Sequence, residues 1–503
     1  MSLRKNILAN YISQIYVTII GIVIVPVYIK YMGAEAYGLV GFFAMLQAWF
    51  MLLDMGLTPT MARETARFHG GATDARSYRR LVRVLEGIFV IVALLGGGIM
   101  FMSSTYIAQD WLKAIYLPID EVQLSIELIA IIIALRWMGG LYRGVISGSE
   151  QLIWLGGYSA FIASLRFVGV LAVLQYIGTT PTLFFGYQLG VAVLDLIILL
   201  LKANCLLPVI PIGGRIAWSW KPLKLVLKFS LSIAFTSSVW VLVTQTDKLV
   251  LSKILPLAEY GYFTLAVLVA SGVMVISSPI SSAIMPRMSK LEADGNHDGL
   301  IRVYRQATQL VAIIASASSI TIAFYAEPLL WAWTGDKQLA LNAAPILCLY
   351  ALGNGILAVA AFPYYLQYAK GDLRLHLIGN ALFALLLIPA IIWAASHYGS
   401  VGAGYAWVAT NIIYFITWVP LVHDRFEKCL NMKWFSLDVL AVYLSTSLVS
   451  YGLFMIMPII NHRGWQFSYI VIVGLLVSVA GVLASSMFWT KVNLLFKSST
   501  NKK

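Results

Sequence analysis

Six charged residues interrupt long apolar stretches of this chain. A charge in an apolar environment has a high free-energy cost, so each of these residues is a candidate for a functional role. They are Asp54, Arg136, Arg166, Asp195, Asp247 and Lys248. A guanidinium group offers a planar fork of donors that matches phosphate oxygens. A carboxylate at bilayer depth can change charge with occupancy by a proton or a metal cation. These residue types therefore suit anion binding and ion coupling.

Two of the arginines share one helical face. Arg136 and Arg143 are seven residues apart, which places them about 10 Å apart along a helix as a ladder. This spacing suits a pyrophosphate group. We expect Arg136 and Arg166 to hold it deep in the membrane, with Arg63, Arg143 and Lys228 at the cytoplasmic mouth. Ordinary cytoplasmic-loop charge explains Arg143 and Lys228 equally well.

The carboxylates leave two interpretations open. Asp54, Asp195 and Asp247 are candidates for coupling to a proton or sodium gradient. Alternatively, Asp195 and Arg166 lie near mid-span on neighbouring predicted helices and neutralise each other. Asp247 stands beside Lys248, so the two can also be an interfacial charge pair.

Uncharged polar residues give two of the predicted helices a polar surface. Ser237, Ser238 and Gln245 belong to a hydroxyl-rich surface within 225–250, and Gln14 lies on a polar aspect of the first helix. Such side chains can bond sugar hydroxyls. They can also serve helix packing, because small polar residues let membrane helices approach closely.

The composition requires a membrane to position these groups. The chain has 503 residues, 60% of them hydrophobic and 11% charged, and its mean hydropathy is +0.84. A bilayer core takes about 20 apolar residues per helix, and about 14 such runs occur here. The charged residues fall in the runs 38–60, 122–146, 152–177, 182–206 and 225–250. An open sheet cannot satisfy its backbone in lipid, so the expected class is an all-α integral membrane protein.

The positive charge of the chain is a topology signal. Its formal net charge is +13 with 35 Lys and Arg residues, and most of them fall in alternate loops. This distribution predicts cytoplasmic N- and C-termini. The opposite loops hold only Lys30, Lys113, Lys253, Lys337 and Arg463. No segment is left for nucleic-acid binding.

Catalysis has little support in the sequence. HExxH, GxSxG, GxxxxGK and DxD patterns do not occur, so we expect no catalytic residue, no metal and no cofactor. The longest outside loop, about 104–121, has acidic residues without a histidine. The three cysteines lie in spans or in a cytoplasmic loop, so no external disulfide framework is expected. A membrane enzyme, such as a polymerase or ligase, is therefore the less favoured alternative.

The chain contains an internal repeat. The segment GAEAYGL (Gly33–Leu39) recurs as LAEYGYF (Leu257–Phe263), which places their Tyr-Gly pairs, at Tyr37 and Tyr260, 223 positions apart. Six helices per copy give two parallel repeats, related by an axis along the membrane normal. We expect an N-terminal lobe at 1–206 (helices 1–6), a cytoplasmic linker at 207–224, and a C-terminal lobe at 225–422 (helices 7–12). Residues 423–503 would form helices 13–14 and a cytoplasmic tail.

Four segments give the chain a family resemblance. They are LLDMGLTPTMAR (Leu52–Arg63), DKLVLSKILPLAEYGYFTLA from Asp247, SSPISSAIMPRMSKL ending at Leu291, and HYGSVGAGYAWVATNI from His397. In order and spacing the chain resembles the Wzx family of polysaccharide flippases, in the superfamily that also holds multidrug extruders and lipid II flippases.

The resemblance implies a fold and an activity. The fold would be an inverted V of two six-helix lobes, with two additional C-terminal helices forming a groove for the lipid tail. The activity would be alternating-access transfer of undecaprenyl-pyrophosphate-linked sugar units from the cytoplasmic to the periplasmic leaflet of a bacterial inner membrane. The implied partners are the lipid-linked oligosaccharide, the bilayer, a polysaccharide polymerase and a chain-length regulator. The main alternative is a cation-coupled multidrug extruder.

Overall fold

The described backbone is mostly helical. The structure, a computed structural model, describes residues 3–208, 221–428, 430–486 and 488–489. Within these ranges there is no strand, and one isolated bridge joins Lys113 to Pro256. Eleven helices of the described part are long and apolar enough to cross a membrane. The all-α membrane class is confirmed, and a total of about 14 spans is consistent with it.

The chain forms two compact units, Met1–Gly261 and Tyr262–Lys503. The helices of unit 1 are α1 Leu3–Val23, α2 Val25–Phe50, α3 Leu57–His69, α4 Ala75–Met102, α5 Ser104–Tyr106, α6 Ile119–Gly148, α7 Leu152–Ser164, α8 Val170–Tyr176, α9 Pro181–Leu206 and α10 Lys221–Ile254. Helix α11 (Leu257–Ala293) begins in unit 1 and continues into unit 2. Most of the predicted linker, 209–220, lies outside the described residues. The predicted lobe boundaries stay a prediction.

Unit 2 continues with long helices. They are α12 His297–Phe324, α13 Ala326–Thr334, α14 Lys337–Ala360, α15 Phe362–Ala369, α16 Arg374–Phe426, α17 Leu430–Lys433, α18 Ala441–Met455 and α19 Arg463–Ala484. Helix α16 has 53 residues and is interrupted at Gly399, whose φ is 59°. A positive φ is a backbone conformation that glycine adopts at little cost. The break divides α16 into two segments, 374–398 and 400–426, each long enough to cross a membrane.

The predicted second span, 38–60, is wrong at its end. Helix α2 ends at Phe50, a 3₁₀ turn covers Met51–Asp54, and the next two residues, Met55 and Gly56, are left-handed with φ of 46° and 71°. The chain then enters a separate helix, α3. Two successive left-handed residues cannot continue an α-helix. The apolar character of this segment concealed the break.

The repeated segments contact each other inside unit 1. A methyl group on Gly38 would overlap the carbonyl oxygen of Leu257, and one on Gly261 would lie 2.5 Å from the carbonyl oxygen of Ala34. Nearby, the buried Glu35 carboxylate accepts backbone N–H groups of residues 115–117 at 2.5–2.9 Å. The two glycines thus permit a close helix approach, which explains why Tyr-Gly occurs in both segments.

We expect Gly38→Ala to lower the free energy of unfolding by about 1–3 kcal/mol, because the added methyl group meets backbone that cannot move aside locally. The measurement is the thermal unfolding of purified protein in one detergent. Gly190→Ala is the matched control, since its methyl group would meet nothing within 4 Å on α9. Equal unfolding temperatures for the two variants would contradict the tight approach.

A buried ion pair fixes the last helices of unit 2. Arg305 on α12 donates to Asp438 through Nε at 2.6 Å and Nη2 at 2.9 Å, and Gln309 also donates to Asp438. The Asp438 side chain is fully buried. It lies on a π-helical turn, Trp434–Leu440, and Trp434 donates to the hydroxyl of Thr308 at 3.0 Å. This bidentate pair joins α12 to the segment that leads into α18.

Candidate functional site

A cavity of about 650 Å³ lies inside unit 1 and collects four of the six charges that interrupt apolar stretches, Asp54, Arg136, Arg166 and Asp195. Six of the residues predicted to act in binding or coupling line this cavity. They come from α1, α6, α9, the turn after α2 and the segment between α7 and α8. These six are Gln14, Asp54, Arg136, Arg143, Arg166 and Asp195. The cost of a charge against lipid explains the convergence, because each charged side chain must face a partner or a wet space.

Neutral groups hold Arg136. Its guanidinium donates to Oε1 of Gln47 at 3.2 Å and to Oε1 of Gln188 at 2.9 Å. It also lies 4.9 Å from the ring centre of Phe43. Amide oxygens and an aromatic face orient the fork, but they carry no net negative charge. The positive charge of Arg136 therefore remains uncompensated by any of these contacts.

A widened helical turn presents Arg166. Residues Leu165–Gly169 form a π-helical turn between α7 and α8. Hydroxyl and amide groups bind the carbonyls of this turn: Tyr187 donates to Leu165 at 2.9 Å, Gln188 to Arg166 at 2.8 Å, and Tyr28 to Phe167 at 2.7 Å. Side-chain donors that replace helical N–H groups stabilise such a distortion.

The Arg166 guanidinium has little to hold it within the described part of the chain. Its Nε atom is buried and has no hydrogen-bond partner there. The group lies 4.4 Å from the ring centre of Phe167, and no carboxylate in the described residues pairs with it. A buried donor without a partner is energetically costly. The binding role of Arg166 stays a prediction.

Arg143, rather than Arg166, is the ion-pair partner of Asp195. Nη2 of Arg143 lies 3.0 Å and 3.1 Å from the two carboxylate oxygens, and Nη1 donates to Ser159 at 3.2 Å. Tyr158 also donates to Asp195, at 2.7 Å. The alternative pairing of Arg166 with Asp195 is therefore absent from this structure. Asp195 compensates one of the three cavity arginines, and the coupling role of Asp195 stays a prediction.

Asp54 has a structural role in the turn after α2. One carboxylate oxygen accepts from the Thr58 hydroxyl at 2.6 Å, and both accept from the Thr58 backbone N–H at 3.2–3.3 Å. These bonds satisfy an N–H of the first turn of α3, as a capping residue does. The carboxylate also faces the cavity. Its proposed part in ion coupling stays a prediction beside this capping role.

The remaining predicted residues lie elsewhere. Arg63 is half-exposed on α3 at 3.7 Å from Glu64 and does not line this cavity. Ser238 and Gln245 are partly buried on α10, outside the cavity lining. The side chains of Lys228 and Ser237 lie outside the described part of the structure. Their assigned binding roles stay predictions.

Asp247 and Lys248 lie close to each other on α10. Asp247 is buried, and its Oδ1 lies 3.8 Å from Nζ of Lys248. Lys248 also donates to the carbonyl of Thr244 at 2.6 Å. Neither residue lines the cavity. A role for Asp247 in coupling stays a prediction.

Sequence reasoning missed the neutral residues that position the arginines. Gln47 and Gln188 orient Arg136, and Ser159 supports Arg143. Ser13 donates to the carbonyl of Gly156 at 2.7 Å and joins α1 to α7. An amide inside an apolar run is a weaker signal than a charge, but it carries the same need for a partner. A search for such amides would have found both glutamines.

Comparisons with known proteins identify the fold and its relatives. The lipid II flippase MurJ in an inward closed conformation matches with a TM-score of 0.74 at 15% identity, covering 96% of this chain and 98% of that one. An inward-facing multidrug resistance MATE family transporter matches with a TM-score of 0.67 at 12% identity, covering 82% and 96%. The predicted transporter fold is confirmed.

Two curated relatives are named for polysaccharide and lipid transport. The "Putative O-antigen transporter" of Shigella flexneri is 21% identical over 407 residues, which is 81% of this chain and 94% of that protein. The "Lipid III flippase" of Escherichia coli K12 is 22% identical over 376 residues, covering 73% and 84%. The resemblance inferred from the sequence segments is confirmed.

A family model settles the classification. The model described as "Polysaccharide biosynthesis protein" matches residues 3–292, more than half of the 503 residues. That range includes the whole cavity of unit 1. The chain therefore belongs to the polysaccharide biosynthesis protein family.

Proposed function

We propose that this protein is a flippase for lipid-linked oligosaccharides. It moves undecaprenyl-pyrophosphate-linked sugar units from the cytoplasmic to the periplasmic leaflet for surface polysaccharide assembly. The family, the names of the curated relatives and the transporter fold support this proposal. The relatives are transporters, which favours transport over polymerase or ligase chemistry.

The observation that carries the proposal is the charge of the cavity in unit 1. Asp195 compensates Arg143, whereas Arg136 and Arg166 have no carboxylate partner in the described residues. Each charge at membrane depth costs about 2.5–3.5 kcal/mol. A pyrophosphate diester brings two negative charges and oxygens that accept from guanidinium forks. Its binding would reduce the free-energy cost of holding both charged arginines at membrane depth.

A positive cavity argues against the main alternative. A cation-coupled drug extruder of the same superfamily would bind cationic compounds near carboxylates. Here three arginines line the cavity beside two carboxylates, of which Asp195 is held by Arg143 and Tyr158 and Asp54 accepts from Thr58. Like charges in a site of low dielectric constant repel strongly. The structure-based similarity to a MATE transporter concerns the fold alone.

The transport cycle follows from the expected topology. We propose cytoplasmic N- and C-termini, on the distribution of basic loops. Alternating access would move the lobe at 1–206 against the lobe at 225–422, with 207–224 as linker and 423–503 as the additional helices and tail. Asp54, Asp195 or Asp247 would couple a proton or sodium gradient. A polymerase and a chain-length regulator would receive the exported units.

Deletion of the gene tests the proposal. We expect lipid-linked sugar units to accumulate in the cytoplasmic leaflet and surface polymer to disappear, while drug tolerance stays unchanged. Mass spectrometry of extracted lipids and a membrane-impermeant sugar-oxidising probe on inverted vesicles give the two readouts. A matched deletion of an unrelated multidrug exporter is the control. Normal polymer with reduced drug tolerance would reject the flippase in favour of the extruder.

A further inference from the structure

A second, smaller chamber adjoins the cavity of unit 1. It has a volume of about 230 Å³. Three residues line both spaces, namely Gln47, Arg136 and Arg166. The two arginines without a carboxylate partner thus stand at the boundary between the chamber and the cavity. An anion bound to them would have one substituent on either side.

The two spaces differ in chemistry. Apart from the shared wall and Gln188, the smaller chamber is lined by Tyr28, Val40, Phe43, Ala44, Phe167 and Phe184. The amide of Gln188 is already engaged at both ends, by Arg136 and by the carbonyl of Arg166. The larger cavity adds hydroxyl and amide side chains to its wall, including Ser13, Gln14, Thr18, Thr58 and Ser159, beside apolar side chains such as Leu155 and Ile162.

The aromatic chamber is built from tightly held side chains. The hydroxyl of Tyr28 donates to the carbonyl of Phe167 at 2.7 Å, and the rings of Tyr28 and Phe184 meet edge to face with centres 5.2 Å apart. Tyr28 and Phe184 are almost completely buried, whereas Ala44 is exposed. The chamber therefore has a preformed wall and an opening beside α2, where a longer hydrocarbon chain could leave it.

We infer that the aromatic chamber holds the isoprene unit attached to the pyrophosphate, while the hydroxyl-lined cavity holds the sugars. This inference rests on the proposed function and adds the orientation of the substrate. A sugar in the chamber would lose water from its hydroxyls and find few partners, at a cost for each. A branched hydrocarbon gains from the same burial. The volume corresponds to roughly seven or eight liquid waters, which suits a five-carbon unit.

The orientation has a consequence for recognition. The pyrophosphate would bridge Arg136 and Arg166, with its lipid end on the Phe43 side and its sugar end toward Arg143 and Ser159. Discrimination between lipid carriers would then depend on the chamber. Discrimination between sugar units would depend on the larger cavity.

The test is binding of small water-soluble probes to the purified full-length protein in nanodiscs. The probes are inorganic pyrophosphate, dimethylallyl pyrophosphate, which adds one isoprene unit, and glucosyl pyrophosphate, which adds one sugar. Ala44→Leu and Ala44→Phe fill the chamber in two steps. The control is Ala172→Phe, at an exposed alanine of α8 that lines neither space. Inorganic pyrophosphate binding and thermal unfolding verify that each variant is folded.

We expect Ala44→Phe to weaken the binding of dimethylallyl pyrophosphate at least about tenfold, which corresponds to the loss of two buried methylene groups. Ala44→Leu should weaken this binding less. Both Ala44 variants should bind the other two probes as the wild type does. The control variant should bind all three probes as the wild type does. If the Ala44 variants instead lost binding of glucosyl pyrophosphate, the sugar would lie in the chamber and the proposed orientation would be overturned. No effect on any probe would also overturn it, while leaving the flippase proposal intact. If wild-type protein bound no pyrophosphate in an Arg166-dependent manner, the proposed anion site itself would fail.

Discussion

Arg166→Ala is expected to reduce export of lipid-linked units by about 10- to 100-fold without destabilising the protein. Hydrogen bonds to charged groups contribute about 1.5–3 kcal/mol, and this guanidinium would supply them to the substrate. The buried Nε–H group of Arg166 has no hydrogen-bond acceptor among the described residues. Its removal therefore breaks no ion pair and relieves the desolvation of a charge. The thermal unfolding temperature should stay equal or rise.

The measurement is transfer of a fluorescent lipid-linked oligosaccharide in proteoliposomes, beside thermal unfolding of the same preparation. Arg166→Lys should be intermediate, since it keeps the charge but loses the planar fork. Arg76→Ala, at an exposed position in the first turn of α4, is the matched control. Arg136→Ala is a poorer probe, because it would also deprive Gln47 and Gln188 of their donor. Full transport by Arg166→Ala would remove the basis of the proposed anion site.

Asp438→Ala is expected to cost about 3 kcal/mol of unfolding free energy, because it leaves the partly buried Arg305 guanidinium without its carboxylate. Asp438 is fully buried and accepts from both Arg305 and Gln309. The measurement is thermal unfolding together with the monodisperse fraction after detergent extraction. Both quantities should fall sharply.

The paired variant Arg305→Met with Asp438→Leu separates charge from shape. Replacing a buried ion pair by apolar residues of similar volume is often neutral or stabilising. We therefore expect this variant to regain most of the lost stability and to transport normally, since the pair lies in unit 2 and outside the cavity of unit 1. If the paired variant were as unstable as Asp438→Ala, the loss would come from packing or from Gln309 rather than from an orphaned charge.

The cavity residues were largely accessible to sequence reasoning. Of the six charges inside apolar runs, Asp54, Arg136, Arg166 and Asp195 line one space, together with Arg143 from the predicted mouth. Asp247 and Lys248 do not line it and lie close to each other instead, which also limits the cost of a charge at membrane depth. The end of the second span was mispredicted for the opposite reason. Its break at Met55–Gly56 lies in a segment whose apolar composition resembles a continuous helix.

The sequence did not allow the ion pairs between these charges to be predicted in the same way. The sequence permitted Arg166 to pair with Asp195, but the π-helical turn at Leu165–Gly169 inserts extra backbone and rotates the side chains of this segment. Asp195 pairs with Arg143 instead. The hydrogen bonds that hold the π turn come from Tyr28, Tyr187 and Gln188, far away in sequence. Local propensity cannot anticipate such contacts.

The sequence by itself determined the helical membrane class, the expected repeat, the approximate spans and the residues that must avoid lipid. These properties follow from solvation, which depends on each residue type and its neighbours along the chain. Only the tertiary structure decided which arginine stays without a carboxylate and which aromatic residues form the chamber beside it. Those outcomes depend on helix rotation and on contacts between distant residues, where a shift of one position changes the partner of a side chain.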